Sequence, residues 1–286
     1  MSKLFLIGAG LMGSSLAVAL KRAGAFARVV GYDVDAATIA RATASGVIDD
    51  AAPNLAAGAR DCDAVAVAVP PQSIAATVVD VFRALGARSV PVFDLGSVKA
   101  PVIDGIVARM GSVPTPFVPC HPLAGRELRG TDAADGALFV GRRVFMTPLS
   151  STSREARDAV AGWWRACGAD VQVVGAAEHD AAVAATSHLP HLLSSAYVAT
   201  LAERVDRLAR FAGPGFKDFT RIAGADPELW RQILVANAHN VSADLTALID
   251  VLERVRDGLA AGDEAALADA LSRGAEAKGR FRDGGG

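Results

Sequence analysis

The sequence has few cysteines, and they lie far apart. Only three occur, at Cys62, Cys120 and Cys167, an odd number without the spacing of a disulfide framework. An apolar segment begins within a few residues of the first methionine, which leaves no room for a secretory signal peptide. Together these absences predict a protein of the reducing cytoplasm.

Two further absences exclude classes of partner. No apolar run is long enough to span a lipid bilayer, so no membrane association is predicted. The 29 basic and 31 acidic residues give a net charge of −2 and are mixed along the chain, without the basic stripe of a nucleic-acid-binding protein. The chain of 286 residues is long enough for two domains.

What the sequence does have is a glycine motif near its start. The apolar segment Leu4–Ile7 runs into GAGLMG at residues 8–13, before a helix-forming stretch, which is the context of a dinucleotide-binding fingerprint. Gly8 permits the tight turn, Gly10 lets the backbone approach a pyrophosphate, and Gly13 lets the helix pack against the strand. The predicted cofactor-binding residues of this loop are Gly8, Gly10, Leu11, Met12 and Gly13.

An acidic residue follows the second predicted strand. Asp33 lies 20 residues beyond Gly13, where a carboxylate can accept hydrogen bonds from an adenosine ribose. Residues 34–37 supply no arginine for the 2′-phosphate of NADP, and Arg41 is the first candidate. The sequence therefore favours NAD over NADP, while a role of Asp33 as a helix cap or turn residue stays open.

Apolar strands and helical segments alternate over the first part of the chain, which predicts an α/β fold with a parallel sheet of the Rossmann type. We predict this domain over residues 1–175, with all its strands in one sheet. The predicted strands are Leu4–Ile7, Arg28–Tyr32, Ala64–Val69, Ser89–Asp94, Phe117–His121, Arg143–Thr147 and Val171–Val174.

From about residue 176 the strand patterns stop and helical composition takes over. We therefore predict a second, all-helical domain over residues 176–286. Its predicted helices are Glu178–Thr186, His191–Ala209, Glu228–Ala238, Val241–Leu259 and Glu264–Lys278.

Open α/β sheets bind ligands at the carboxyl ends of their strands. This rule selects Pro70, the segment Asp94–Lys99 and the segment His121–Gly125. Within the second segment, Ser97 is the predicted N-cap of a helix over residues 98–110, and the lysine is expected near the cofactor. His121 could meet a substrate bound over the nicotinamide, although a structural histidine at a strand end stays open.

Two alternative sites deserve weighing. A catalytic pair of Cys120 and His121 is disfavoured, because adjacent residues on a strand point to opposite faces. A metal site built from His179, His188 and His191 matches no zinc spacing, since Pro190 interrupts the helical face. We therefore predict no metal. Ser187 to His191 is nevertheless the densest polar cluster of the helical half.

Several segments, in this order, resemble the prephenate/arogenate (cyclohexadienyl) dehydrogenase family of tyrosine biosynthesis. The resemblance runs from the N-terminus to at least Asn237. Some members carry a regulatory ACT domain or a chorismate mutase domain, for which this chain has no room. The matching segments are residues 8–14, Asp94–Lys99, His121–Gly125 with Glu127, Ser187–His191, Phe216–Ala223, and Trp230 with Asn237.

This resemblance implies an oxidative decarboxylation of prephenate, arogenate or both, in which NAD takes a hydride from C4 of the ring and the ring carboxylate leaves as CO2. It implies that His121 accepts the hydroxyl proton and that Ser97 orients that imidazole or the hydroxyl. Arg221 would grip the side-chain carboxylate in bidentate fashion. The other implied substrate-binding residues are Glu127, Ser187, His188 and His191.

The family also implies a homodimer formed through the helical domain. Two alternatives to this enzyme stay open. A β-hydroxyacid dehydrogenase or imine reductase would use a lysine of the helical half, where Lys217 is the only one before Lys278. A non-catalytic NAD sensor would have lost His121 or Arg221, and both are present.

Overall fold

The computed structural model describes residues 2–124 and 130–283, with side chains through residue 281. The chain forms two compact units, Met1–Asn237 and Ala238–Gly286. The first unit holds the sheets and the helices that follow them. The predicted domain boundary after residue 175 stays a prediction, since it marks the change from strands to helices within this unit.

The main sheet has, among the described residues, six parallel strands in the order β3-β2-β1-β4-β5-β6. The chain runs outward from β1 to β3 and then returns to place β4 on the other side of β1. This reversal is the topological switch point at which such sheets bind dinucleotides. The strands are β1 Lys3–Ile7, β2 Arg28–Tyr32, β3 Asp50–Ala51, β4 Ala64–Val67, β5 Val92–Asp94 and β6 Phe117–Val118.

Helices cover both faces of this sheet, as its alternating side chains require. Leu4 and Leu6 pack into a core cluster on one face with Trp164, whereas Phe5 and Ile7 pack into a separate cluster on the other. Burying each of these side chains contributes roughly 1.5–3 kcal/mol. The helices are α1 Leu11–Arg22, α2 Ala36–Ala44, α3 Leu55–Ala59, α4 Pro71–Leu85, α5 Ala100–Met110 and α6 Arg154–Ala166.

The prediction that all the strands form one sheet is wrong. The segment predicted as Phe117–His121 is divided at Pro119, which has no N–H to continue a ladder, and its second half pairs antiparallel with β8. The Pro119 carbonyl instead accepts a hydrogen bond from the Thr147 N–H at 2.9 Å. The resulting three-stranded sheet consists of β7 Cys120–Pro122, β8 Arg143–Met146 and β9 Asp170–Val173.

Helices make up the described chain after β9, which confirms the predicted change of fold. The helix predicted over His191–Ala209 ends earlier, at Ala199, and short helical turns follow it. A π-helical turn, Ala184–His188, joins the first two helices of this region. The helices that follow β9 within the first unit are α7 Ala176–Val183, α8 Leu189–Ala199, α9 Val205–Leu208, α10 Pro214–Thr220 and α11 Pro227–Ala236.

The second unit consists of two long helices, α12 Ala238–Ala261 and α13 Glu264–Asp283. They pack against each other, and Gly262 turns the chain between them with a φ of +66°. A left-handed φ of this kind favours glycine at a helix end. Among all the described helices, none is both long and apolar enough to cross a membrane.

Candidate active site

The glycine motif forms the tight turn between β1 and α1. Gly8 has a φ of +93°, and a Cβ there would lie 2.4 Å from the carbonyl oxygen of Ala68. A Cβ at Gly13 would lie 2.1 Å from the Gly8 carbonyl oxygen. Both positions therefore require glycine for the strand and the helix to approach this closely.

Gly10 differs from these two glycines because it borders open space. A Cβ at Gly10 would meet no atom within 4 Å, and this residue caps α1 without any side-chain hydrogen bond. The first N–H groups of a helix have no partner within the helix. The start of α1, which includes Leu11 and Met12, is thus chemically suited to a pyrophosphate.

Asp33 ties the end of β2 to this glycine loop. Its Oδ2 accepts a hydrogen bond from the Ala9 N–H at 2.9 Å, and its Oδ1 accepts one from the Asp35 N–H at 3.0 Å. The residue is half-buried, so the carboxylate both shapes the loop and retains accepting capacity for a ribose. Pro70 lies exposed across the switch point, at the start of α4.

A buried ion pair joins the loop after β5 to strand β7. Lys99 and Asp94 are fully buried, and their side chains form a salt bridge. Lys99 Nζ also donates to the carbonyl oxygen of Cys120 at 2.6 Å, while Asp94 Oδ1 accepts from the Cys120 N–H at 3.0 Å. The Lys99 side chain turns inward and fixes the peptide that precedes His121, while the expectation that it lies near the cofactor stays a prediction.

His121 lies on β7 and is the first of three hydrogen-bonded side chains. Its Nδ1 is 2.8 Å from Nε2 of His179, and Nδ1 of His179 is 2.7 Å from Oδ1 of Asp180. All three residues are buried. Burial, more than its positively charged and imidazole neighbours, holds the pKa of His121 well below 6.5, so the imidazole is neutral at pH 7.

Asp180 also caps α5. Its carboxylate accepts hydrogen bonds from the Lys99 N–H at 2.9 Å and the Ala100 N–H at 2.8 Å. The predicted N-cap, Ser97, is wrong: the helix begins at Ala100, after Lys99, and the capping carboxylate comes from α7. Ser97 lies half-buried in the loop between β5 and α5, where its hydroxyl is not used as a cap.

The π-helical turn brings two further histidines towards α11. His188 lies in the turn and His191 one helical turn later, and the ring of His191 stacks on Trp230 with centroids 3.4 Å apart. Nδ1 of His188 accepts a hydrogen bond from the amide of Asn237 at 3.1 Å, and that amide also donates to the backbone carbonyl of Asp180. Asn237 thereby links this turn to the His179–Asp180 pair.

Both of these histidines are held neutral. Burial lowers the pKa of His188 to about 4 and outweighs the opposing attraction of Asp180. Burial also lowers the pKa of His191. Ser187, on the same turn, is half-buried. The three residues predicted as a substrate-binding wall thus share one short segment of chain.

Arg221 begins a 3-10 turn, Arg221–Gly224, that packs against α8. The side chain is exposed. Ser194, which is buried on α8, donates a hydrogen bond to the Phe219 carbonyl at 2.9 Å and anchors the segment just before this turn. Glu127, the remaining predicted substrate-binding residue, lies outside the described residues.

The surroundings of Cys120 and His179 bear on the two disfavoured alternatives, a catalytic cysteine–histidine pair and a metal site. The Cys120 thiol is completely buried, and this burial together with the Asp94 charge raises its pKa far above the ordinary value. Such a thiol is inert as a nucleophile. His179 is committed to Asp180 and His121, and no group of three or more metal-ligating side chains occurs within residues 2–124 and 130–281.

Sequence reasoning missed the residues that hold His121 in place. Asp94 entered only as part of a motif, Lys99 was expected near the cofactor, and His179 was considered only as a possible metal ligand. The available signal was the adjacent His-Asp pair at residues 179–180, directly after the last strand. Its contact with His121 could not be read from the sequence, because 58 residues separate the two histidines.

Two family models match consecutive parts of the chain. Residues 16–173 match the model of a prephenate dehydrogenase nucleotide-binding domain, and residues 175–273 match that of a prephenate dehydrogenase dimerization domain. The chain belongs to the prephenate dehydrogenase family. The resemblance carried by its motifs is therefore confirmed.

Individual members of the prephenate dehydrogenase family agree in sequence and in structure. A cyclohexadienyl dehydrogenase of Zymomonas mobilis is 32% identical over 90% of this chain and 88% of that protein. A prephenate dehydrogenase of Bacillus subtilis is 29% identical over 88% of this chain and 69% of that protein. The crystal structure of Aquifex aeolicus prephenate dehydrogenase with hydroxyphenyl propionate and NAD+ is 29% identical, covers 98% of both chains and has a TM-score of 0.88.

Proposed function

We propose that this protein catalyses the NAD-dependent oxidative decarboxylation of prephenate to 4-hydroxyphenylpyruvate, of arogenate to tyrosine, or of both. The observation that carries the proposal is the state of His121. Its imidazole is neutral and buried, and its Nδ1 is engaged by His179. Its other nitrogen, Nε2, is left to accept a proton from a substrate hydroxyl.

The residues around the glycine loop fit the cofactor. Gly8 and Gly13 shape the turn, and the open space at Gly10 admits a pyrophosphate to the start of α1. Asp33 would accept the ribose hydroxyls, and Pro70 would border the nicotinamide end of the crevice. NAD, when bound, supplies the acceptor for the hydride.

His121 acts as the general base of this mechanism. Its Nε2 accepts the proton of the 4-hydroxyl as the hydride departs. Ser97 orients the hydroxyl or the imidazole. The Asp94–Lys99 pair holds the Cys120 peptide and hence the direction of the His121 side chain. Such fixed geometry raises the rate of the chemical step because the base is already oriented before the reaction begins.

Substrate anchoring falls to the helical half. Arg221 grips the side-chain carboxylate, and Ser187, His188 and His191 line the adjoining wall, with Glu127 contributing a polar contact. Arginine should bind the carboxylate that stays, because stabilising the one that leaves would oppose its conversion to neutral CO2.

We also propose that the protein is a homodimer of the cytoplasm. The match of residues 175–273 to a dimerization domain supports the dimer. The three cysteines are free and buried, which suits a reducing compartment. Nucleic acid and membrane have no part in this function.

One assay tests the proposed function. Purified full-length protein is mixed with prephenate or arogenate and with NAD or NADP, and reduced cofactor is followed by its absorbance. We expect NAD reduction with at least one of the two substrates, accompanied by CO2 release. No reduction of either cofactor, by a folded protein that binds NAD, would point to a sensor instead.

A further inference from the structure

The proposed base, His121, lies at one end of a row of three hydrogen-bonded side chains. Behind His121 come a second imidazole, His179, and then the carboxylate of Asp180, joined by hydrogen bonds of 2.8 and 2.7 Å. His179 and Asp180 are each only 2% exposed. Neither was assigned a catalytic role by the sequence motifs.

The chemistry of these groups fixes where the protons lie. An ionised carboxylate only accepts hydrogen bonds, so Nδ1 of a neutral His179 carries its proton and donates it to Asp180. Nε2 of His179 is then an acceptor, which requires His121 to donate from Nδ1. His121 Nε2 is therefore the unprotonated nitrogen, as a base for the substrate needs.

A proton that stayed on His121 would be poorly accommodated. The ring is buried, and the charge of Lys99 opposes a second positive charge on His121. His188 and His179, the other titratable groups facing it, carry no compensating negative charge. A buried, unpaired imidazolium is costly.

His179 has the partner that His121 lacks. Its Nδ1 faces Asp180, whose carboxylate is held in place by the N–H groups of Lys99 and Ala100 at the start of α5. The rings of Phe145 and His179 pack at a steep angle, with centroids 5.5 Å apart. A positive charge on His179 would thus form a buried ion pair with a fixed carboxylate.

We propose that His121 and His179 form a proton relay, in which His179 accepts the proton that His121 gives up. As Nε2 of His121 takes the hydroxyl proton, the proton on Nδ1 of His121 passes along the 2.8 Å hydrogen bond to Nε2 of His179. His121 ends as a neutral imidazole protonated on Nε2, and His179 ends as an imidazolium paired with Asp180. The hydride carries both electrons of the C4–H bond to NAD. The proton of the 4-hydroxyl enters the row at His121, and the positive charge that it brings ends on His179.

Asp180 stabilises this charge and does not itself take the proton. Its two oxygens already accept three N–H hydrogen bonds, and protonation would sacrifice part of them. Transfer between two imidazoles is close to balanced in energy, whereas transfer on to a carboxylate is not. A carboxylate behind a catalytic histidine generally acts in this supporting way.

This relay rests on the proposed function, but its first test does not need turnover. The ring nitrogens of ¹⁵N-histidine-labelled native protein are observed by NMR and assigned with His121→Asn and His179→Gln. We expect, at neutral pH, a proton on Nδ1 and none on Nε2 in both rings. On acidification, Nε2 of His179 should be protonated before the second nitrogen of His121. Earlier formation of the His121 imidazolium, or a His121 ring with unprotonated Nδ1, would overturn the relay whatever the enzyme's activity.

The second test is kinetic. Glutamine at residue 179 can still accept a hydrogen bond from His121 but cannot carry a proton onward. We expect His179→Gln to keep the KM of NAD and of the substrate while kcat falls about 10- to 100-fold, less than loss of the base itself would cause. In His179→Gln, the pH at which kcat falls on the acid side should also shift, because the proton acceptor is then His121 alone.

The matched control is His239→Gln, at an exposed histidine of α12, which should leave all of these values unchanged. If His179→Gln folds and keeps both kcat and the position of its acid limb, His179 serves only to orient His121. If native protein reduces neither cofactor while its NMR titration follows the expected order, the proposed function fails and the relay's hydrogen bonding stands.

Discussion

The ammonium group of Lys99 lies 2.6 Å from the carbonyl oxygen of Cys120, the residue that precedes His121. Both Lys99 and its partner Asp94 are fully buried. The pair therefore clamps the peptide next to the proposed base from both its N–H and its carbonyl side. It also connects the Ser97 loop to strand β7, so that two proposed catalytic side chains share one support.

Removing the cation from this pair should be strongly destabilising. Lys99→Met leaves the Asp94 carboxylate buried without its counterion, and we expect the free energy of unfolding to fall by about 3–5 kcal/mol. Urea denaturation measures this loss. The control is Lys21→Met at the partly exposed Lys21–Asp49 pair, which should cost about 1 kcal/mol or less. Equal losses in the two variants would show that the buried pair has no special weight.

Cofactor preference should depend on the charge of Asp33. The native protein should show a higher kcat/KM with NAD than with NADP, because the carboxylate repels a 2′-phosphate. Asp33→Asn removes the charge while its amide oxygen can still accept from the Ala9 N–H, and it should narrow the gap, as should Asp33→Ala. Asp35→Asn, a loss of the same charge two residues away, should keep the preference. Equal or better turnover of the native protein with NADP would contradict this assignment.

Arg221 should determine substrate affinity. Arg221→Ala should raise the KM of the substrate strongly, with a loss of about 2–4 kcal/mol, the range for truncating one partner of a desolvated charge pair. Steady-state kinetics with saturating NAD measures the effect. Arg207→Ala, at an exposed arginine of α9, is the matched control. An unchanged KM in folded Arg221→Ala would assign the carboxylate to another cation.

Stability should fall as the pH is lowered from 7 to 5. The pKa of His188 is about 4 in the folded protein against 6.5 unfolded, so between these values the unfolded chain binds the extra proton. Its contribution is fully present above pH 6.5 and is lost towards pH 4, by about 3 kcal/mol at most. His188→Asn should flatten the pH dependence of urea unfolding, and His239→Gln should not. Equal dependence in native protein and His188→Asn would remove His188 from this account.

The fold and the glycine loop could be predicted from the sequence because their signals are local. An apolar strand, a glycine turn and a helix start occupy adjacent residues, so recognising them requires no knowledge of distant contacts. Asp33 was placed by the same reasoning, at the end of the next strand. The break at Pro119 shows the limit: a proline within an apolar run also permits an edge strand, and only pairing with β8 decided its sheet.

The support of His121 could not be predicted because it is assembled from distant residues. Asp180 caps a helix that begins 80 residues earlier in the chain. From the sequence alone, Ser97 was an equally plausible N-cap for that helix. Lys99 follows a strand end, where a ligand-facing role is a sound prior. Its inward turn depends on the carboxylate of Asp94 and the carbonyl of Cys120 meeting at the same buried point.

The pH dependence of kcat/KM for native protein and for His121→Asn tests the central claim most directly. A neutral base is required, so native activity should be full at pH 7 and fall on the acid side through a limb well below pH 6.5, because burial lowers the pKa of His121. His121→Asn should bind NAD normally, lose about 10²–10⁴-fold in kcat, and show no such limb. Near-native kcat in the variant, or retention of the same acid limb, would contradict the account and reassign the base to His188 or His191.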